Sequence, residues 1–281
     1  MVVEEGFAAA DDGVRLWFAF DGSGTPLVLC HGGPGLWDYL QPLTEPLREI
    51  AQVIRWEQRG CGRSERRGPY SMARFTADLD QLRAHFGYER WIVGGHSWGA
   101  SVALHYALAY PTRVEALVYL SGVGIGRAWN AVYHEQADRR LSPEQLQRRN
   151  ELGARDRTPA EEREYRTLSW LPDFADPARA FALAAAQADS PFTVNYECNA
   201  VLNAESKTWE ENDLIARCRR LDLPTLILHG AEDTRPAWAV DSLAAALPRA
   251  DLRIIPGSGH LPWIETPTEV ARAIGGFIRD L

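Results

Sequence analysis

The hydrophobic positions of this chain follow two rhythms. Short continuous apolar runs occur at residues 27–30, 52–56, 91–94, 116–120, 225–228 and 252–255. Runs of that length without polar alternation predict strands buried on both faces. Between them, at 73–86, 100–110, 237–246 and 267–280, apolar residues return every three to four positions and predict amphipathic helices. Near the start, residues 7–10 and 14–20 flank Asp11-Asp12-Gly13, which reads as a β-hairpin. Strands alternating with helices predict an α/β fold, with a mostly parallel sheet covered on both faces.

The stretch from about 125 to 220 breaks this rhythm. It contains no clear buried strand, is rich in Arg, Glu and Ala, and is punctuated by Pro143, Pro159, Pro172, Pro177 and Pro191. It reads as a helical lid, residues 124–222, inserted into one core made of residues 1–123 and 223–281. Insertions at this edge of such sheets usually roof the pocket. A helical subdomain remote from the active site is the alternative.

The chemistry is concentrated where strands end. Gly95-His96-Ser97-Trp98-Gly99 fits G-x-S-x-G, with a strand running in and a small-residue helix running out. That is the context of a nucleophile elbow, where the serine sits at the tip of a strained turn above a helix N-terminus. A serine hydroxyl needs a base. An elbow of this kind is followed in the chain by an acid and then a histidine. His260, in Gly257-Ser258-Gly259-His260 after the last strand, takes the base position, and Asp233, in the loop after 225–228, takes the acid position. Glu232 is the competing carboxylate. His31 and His229 end strands and read as turn residues. His85 and His105 fall on helices, and His134 falls in the lid.

An oxyanion intermediate needs two backbone N–H donors. Trp98, after the serine, supplies one. The loop His31-Gly32-Gly33-Pro34-Gly35 supplies the other, assigned to Gly33.

Composition narrows the partners. The net charge of -8 argues against nucleic acid and anionic membranes. No apolar stretch approaches the roughly 20 residues that cross a bilayer. Residues 1–6 hold two acids and no base, so no leader is expected and a cytoplasmic setting is the default. Cys30, Cys61, Cys198 and Cys218 match no metal or redox spacing, and Cys30 reads as a core residue. Lys207 is the only lysine beside many arginines and alanines, which suggests a GC-rich coding genome. No HExxH, P-loop or strand-linked G-x-G-x-x-G appears, so no metal or cofactor is expected. The expected partner is a small-molecule or short-peptide substrate. The oligomeric state stays open.

Three motifs carry a family resemblance: the 31–35 loop, Gln58-Arg59-Gly60-Cys61-Gly62-Arg63-Ser64, and the elbow with its flanking Gly94. With them the core, about 7–123 and 223–281, resembles the proline iminopeptidase-like branch of the α/β-hydrolases. The resemblance implies release of an N-terminal aminoacyl group from a peptide or arylamide, with acidic lid residues holding the free ammonium. Within Asn195-Tyr196-Glu197-Cys198-Asn199, Glu197 is the implied anchor, and Glu205, Glu210 and Glu232 are the next candidates. The sequence departs from that pattern in two places. Glu57 stands where an aspartate usually precedes Gln-Arg-Gly, and Thr234-Arg235 follow Asp233 where some relatives carry an acid. The rival readings are a carboxylesterase or amide hydrolase that needs no free amine, a cofactor-free haloperoxidase, and a ligand receptor on a hydrolase fold. A haloalkane dehalogenase is disfavoured, because it needs Asp where Ser97 stands.

Overall fold

The computed structural model describes residues 3–281; Met1 and Val2, part of the segment read above for a leader, lie outside the described residues. Strands β1 (Glu4–Ala9) and β2 (Arg15–Asp21) form the expected hairpin. They lead into β3 (Thr25–Cys30), α1 (Thr44–Leu47), β4 (Ala51–Trp56), α2 (Met72–His85), β5 (Trp91–His96), α3 (Trp98–Ala109) and β6 (Val114–Leu120). Six helices follow before the next strand: α4 (Trp129–Arg139), α5 (Pro143–Gly153), α6 (Pro159–Trp170), α7 (Pro177–Ala188), α8 (Tyr196–Ser206) and α9 (Glu211–Cys218). The chain then returns through β7 (Thr225–Gly230), α10 (Asp241–Ala246), β8 (Ala250–Ile255), α11 (Pro262–Glu265) and α12 (Pro267–Arg279).

The eight strands form one sheet in the order β1-β2-β4-β3-β5-β6-β7-β8, in which only β2 runs against the rest. Side chains alternate across it. On β3, Val28 and Cys30 join the cluster under α2 and α3, while Leu27 and Leu29 join the cluster under α1 and α12. Both clusters extend into the insertion: Cys198 and Leu202 of α8 belong to the first, and Ala180 and Ala184 of α7 to the second. Among the described residues no helix is long and apolar enough to cross a membrane.

Two local expectations change. The run 252–255 is an edge strand rather than one buried on both faces. It pairs with β7 alone, and Ile254 is 41% exposed. The pattern at 237–246 is a 3-10 turn, Ala237–Val240, followed by α10. Asp241, a residue that favours helix starts over interiors, opens the second piece.

The loop after β4 ties these parts together. Arg59 is fully buried, with Nε 2.5 Å and Nη2 2.7 Å from the Asp78 carboxylate on α2, and Nη1 2.8 Å from Asp12 in the hairpin turn. Gln58 Nε2 donates to the His31 carbonyl, and the Trp17 amide donates to Ser64 Oγ. The 58–64 motif thus fixes the loop after β3 from below. Removing one partner of a buried ion pair strands the other charge, at about 3–5 kcal/mol. Asp78→Ala leaves Arg59 only the part-exposed Asp12 and is expected to lower unfolding free energy by up to that amount in urea titrations; a loss below about 1 kcal/mol would mean that Asp12 alone keeps Arg59 satisfied.

Candidate active site

Ser97 stands between β5 and α3 with φ 55° and ψ -118°, a strained conformation for a residue with a side chain. Two glycines permit the tight crossing. A Cβ on Gly95 would lie 2.0 Å from the Gly99 carbonyl, and one on Gly99 would lie 2.1 Å from the Cys30 carbonyl. Trp98 is the first residue of α3, so its amide has no intrahelical acceptor.

His260 and Asp233 meet in the loops after β8 and β7. His260 Nδ1 donates to Asp233 Oδ2 at 2.6 Å. The carboxylate only accepts, so the Nδ1 proton sits there and Nε2 carries the lone pair. Burial would push the Asp233 carboxyl up; the close contact and hydrogen bond of His260, with the Arg235 guanidinium beside it, overcome that and hold it well below the usual carboxylate range. Asp233 Oδ1 also accepts from the Arg235 amide at 2.9 Å. Glu232 is exposed and turns away, accepting from the Ser258 amide at 3.0 Å, where it shapes the His260 loop.

His96, the unspecified residue of the elbow motif, joins the two sides of the site. The Gly32 amide donates to Tyr39 Oη at 2.8 Å, and Tyr39 Oη donates to His96 Nδ1 at 2.6 Å. His96 Nε2 donates to the His260 carbonyl at 2.9 Å. These directions agree only for neutral His96, and burial indeed drives it far below the ordinary histidine value. Sequence reading passed over this relay because Tyr39 and His96 lie 57 positions apart.

Two cavities meet at Ser97. One, of about 260 Å³, is lined by Trp37, Tyr39, Trp170, Phe174, Asp173 and His260 among others. The other, of about 180 Å³, is lined by Trp98, Ile125, Trp129 and Trp209 among others. Gly33, Ser97, Tyr133 and Arg235 line both. Trp129, Tyr133, Trp170, Asp173, Phe174 and Trp209 come from the 124–222 insertion.

The four glutamates singled out from the sequence line neither cavity. Glu197 is exposed on α8, because Cys198 and Leu202, one turn apart, form that helix's buried face. Glu205 accepts from the Met72 amide, and Glu210 precedes α9 in the same outer groove. The 195–199 segment does a different job. The Asn195 amide donates to the Gly35 carbonyl, Asn195 Nδ2 to the Gly60 carbonyl, and Asn199 Nδ2 to the Pro34 carbonyl. These bonds hold α8 against the 31–35 loop. The carboxylate on the cavity wall is Asp173, whose Oδ1 lies 2.7 Å from Arg235 Nη1. Asp173 was missed because a turn between α6 and α7 gives no catalytic signal. Its carbonyl also accepts from the His260 amide at 2.7 Å.

The comparisons with known proteins agree with this architecture. A family model of the alpha/beta hydrolase fold matches residues 25–267. The chain is 29% identical to a proline iminopeptidase of Xylella fastidiosa, covering 92% of this chain and 90% of that one. It is 28% identical to the proline iminopeptidase of Xanthomonas citri, covering 98% and 96%. It superposes on the crystal structure of a Mycobacterium smegmatis proline iminopeptidase with a TM-score of 0.71 at 18% identity, covering 99% of this chain and 98% of that one.

Four histidines give the fold a pH dependence. Burial lowers His31, His96, His105 and His229, His105 to about 4. In the unfolded chain they protonate near 6.5. Below that pH the unfolded state binds more protons, so stability falls as pH falls towards each folded value. Each histidine that stays neutral in the fold at pH 5 removes about 2 kcal/mol between pH 7 and pH 5. Urea midpoints are expected to drop clearly over that interval; a flat profile would contradict the neutral assignments.

Proposed function

This chain belongs to the α/β hydrolase fold family, and from that premise we propose that it is a serine hydrolase that cleaves an amide or ester through an acyl-enzyme on Ser97. The observation that carries this reading is the 2.6 Å bond from His260 Nδ1 to buried Asp233, with His260 and Ser97 on one cavity wall. Nε2 of His260 takes the Ser97 hydroxyl proton as Oγ bonds to the substrate carbonyl carbon. The resulting oxyanion is met by the amides of Gly33 and Trp98. His260 then passes the proton to the leaving oxygen or nitrogen as that bond breaks. Water, deprotonated by the same histidine, releases the acid and restores Ser97. In this reading helices α4 to α9 form the lid, since they supply much of both cavity walls.

Two substrate readings rest on different observations. The proline iminopeptidase relatives favour an N-terminal aminoacyl amide. The cavity walls favour an ester or amide without a free amine, because Glu197, Glu205, Glu210 and Glu232 lie elsewhere and Asp173 is already paired with Arg235.

Ser97→Ala and His260→Ala are expected to lower kcat by about 10⁴- to 10⁶-fold. Asp233→Asn should cost orders of magnitude, because an amide neither orients nor stabilises the imidazolium; Glu232→Gln should cost far less. Steady-state kinetics on an aryl ester checks the ranking, and its reversal would give the acid role to Glu232. A panel of aminoacyl arylamides, their N-acylated counterparts and aryl esters separates the substrate readings. Exclusive turnover of free-amine substrates supports the first, and equal or better turnover of acylated ones supports the second.

A further inference from the structure

The two cavities share Ser97 but not the histidine. His260 lines the larger cavity, while Trp98, whose amide faces the developing oxyanion in the mechanism above, lines the smaller. In acyl transfer the histidine hands its proton to the departing atom. The leaving group must therefore lie on the His260 side, and the acyl chain takes the direction left over.

The smaller cavity has a one-sided charge pattern. Arg127 and Arg235 are on its wall, and no Asp or Glu is. Nη1 of Arg235 is engaged by Asp173 at 2.7 Å and by Asp233 at 3.4 Å. Among the described residues, no protein acceptor takes a hydrogen bond from its Nε or Nη2. The guanidinium is held 4.3 Å from the Tyr133 ring centroid. It is thus a fixed group with donors to spare beside the nucleophile. An ammonium on the acyl chain would find no carboxylate on that wall, since Asp173 and Asp233 are both engaged by Arg235. Asp173 stands on the wall of the other cavity.

We propose that the leaving group binds in the larger cavity among Trp37, Trp170 and Phe174, that the acyl group binds in the smaller one between Trp98, Trp129 and Trp209, and that Arg235 selects acyl groups carrying a carboxylate. This rests on the acyl-enzyme reading of Ser97 and names the substrate class for it. A carboxylate gains charge-assisted hydrogen bonds from the unused edge of the guanidinium. An alkyl chain of the same length gains none, and an aminoacyl chain finds no carboxylate partner. The cavity volume of about 180 Å³ suits an acyl chain of a few carbons. The aromatic walls of the larger cavity suit an aryl or other flat leaving group.

The test uses phenyl esters with one leaving group and three acyl groups: glutaryl, butanoyl and 2-aminobutanoyl. Uncatalysed rates are subtracted. For the wild type, kcat/KM is expected to fall in that order, by at least about 10-fold from first to last, the size of one charge-assisted contact. In Arg235→Gln the glutaryl-to-butanoyl ratio should collapse towards one. A ratio is used because Arg235 also touches Asp233, and any general loss cancels in it. Arg127→Gln, at an exposed position, is expected to lower the ratio less. Trp170→Ala, which changes only the larger cavity, should shift all three rates together while keeping the acyl order. A preference for the aminobutanoyl ester, or an unchanged ratio in Arg235→Gln, overturns the assignment. Fluorophosphonate labelling of each preparation separates the causes. Labelling at Ser97 with the wrong acyl order sinks only this inference, whereas labelling elsewhere sinks the acyl-enzyme reading and this inference with it.

Discussion

The site is arranged around a buried, ionised carboxylate. Asp233 has no exposed surface on its side chain, and an isolated charge there would cost several kcal/mol. It stays charged because His260, Arg235 and His229 surround it and the Arg235 amide donates to it. Each of those partners is then committed. His260 is held in one tautomer with Nε2 available. Arg235 is held on a wall that both cavities share, where Asp173 of the 124–222 segment pairs with it. One charge thus fixes the tautomer of His260, the electrostatics of the pocket and one attachment of the 124–222 segment to the core.

The remaining attachments act on the opposite side of Ser97. Asn195 and Asn199 hold α8 to the 31–35 loop, and the Tyr39–His96 relay holds that loop to the His260 carbonyl. The backbone of the 31–35 loop and the loop that carries His260 are therefore braced against each other through His96. The relay works only if His96 stays neutral, and burial ensures it. Preorganised donors of this kind need no rearrangement during reaction, which is where much of an acyl-transfer enzyme's advantage lies.

Much of this architecture was legible in the chain because it depends on local patterns. Strands such as 27–30 and 91–94 are buried on both faces, so their apolar runs stand out, and the Gly95 and Gly99 contacts allow few other residues. The half-open edge strand β8 gave the same signal as its buried neighbours, because periodicity does not report position in a sheet. The cavity wall was the least legible part. Glu197 was singled out by its segment, yet the inner face of α8 is set by Cys198 and Leu202, a matter of how the helix rotates against the core. Asp173 and Arg235 lie 62 positions apart, and their pairing exists only in the folded chain. The arginine after Asp233 was noticed as a departure from pattern; its reach to Ser97's cavities required coordinates.

In the proposed mechanism, chemistry passes through a covalent ester on Ser97. It is tested most directly by quenching the protein with acid within milliseconds of mixing with excess 4-nitrophenyl acetate, then mapping the adduct by peptide mass spectrometry. A burst of about one nitrophenolate per chain is expected, with a single acetyl group on the peptide containing Ser97 that is absent in Ser97→Ala. Turnover with no adduct in the burst phase, or acetyl on another residue that persists in Ser97→Ala, would contradict it.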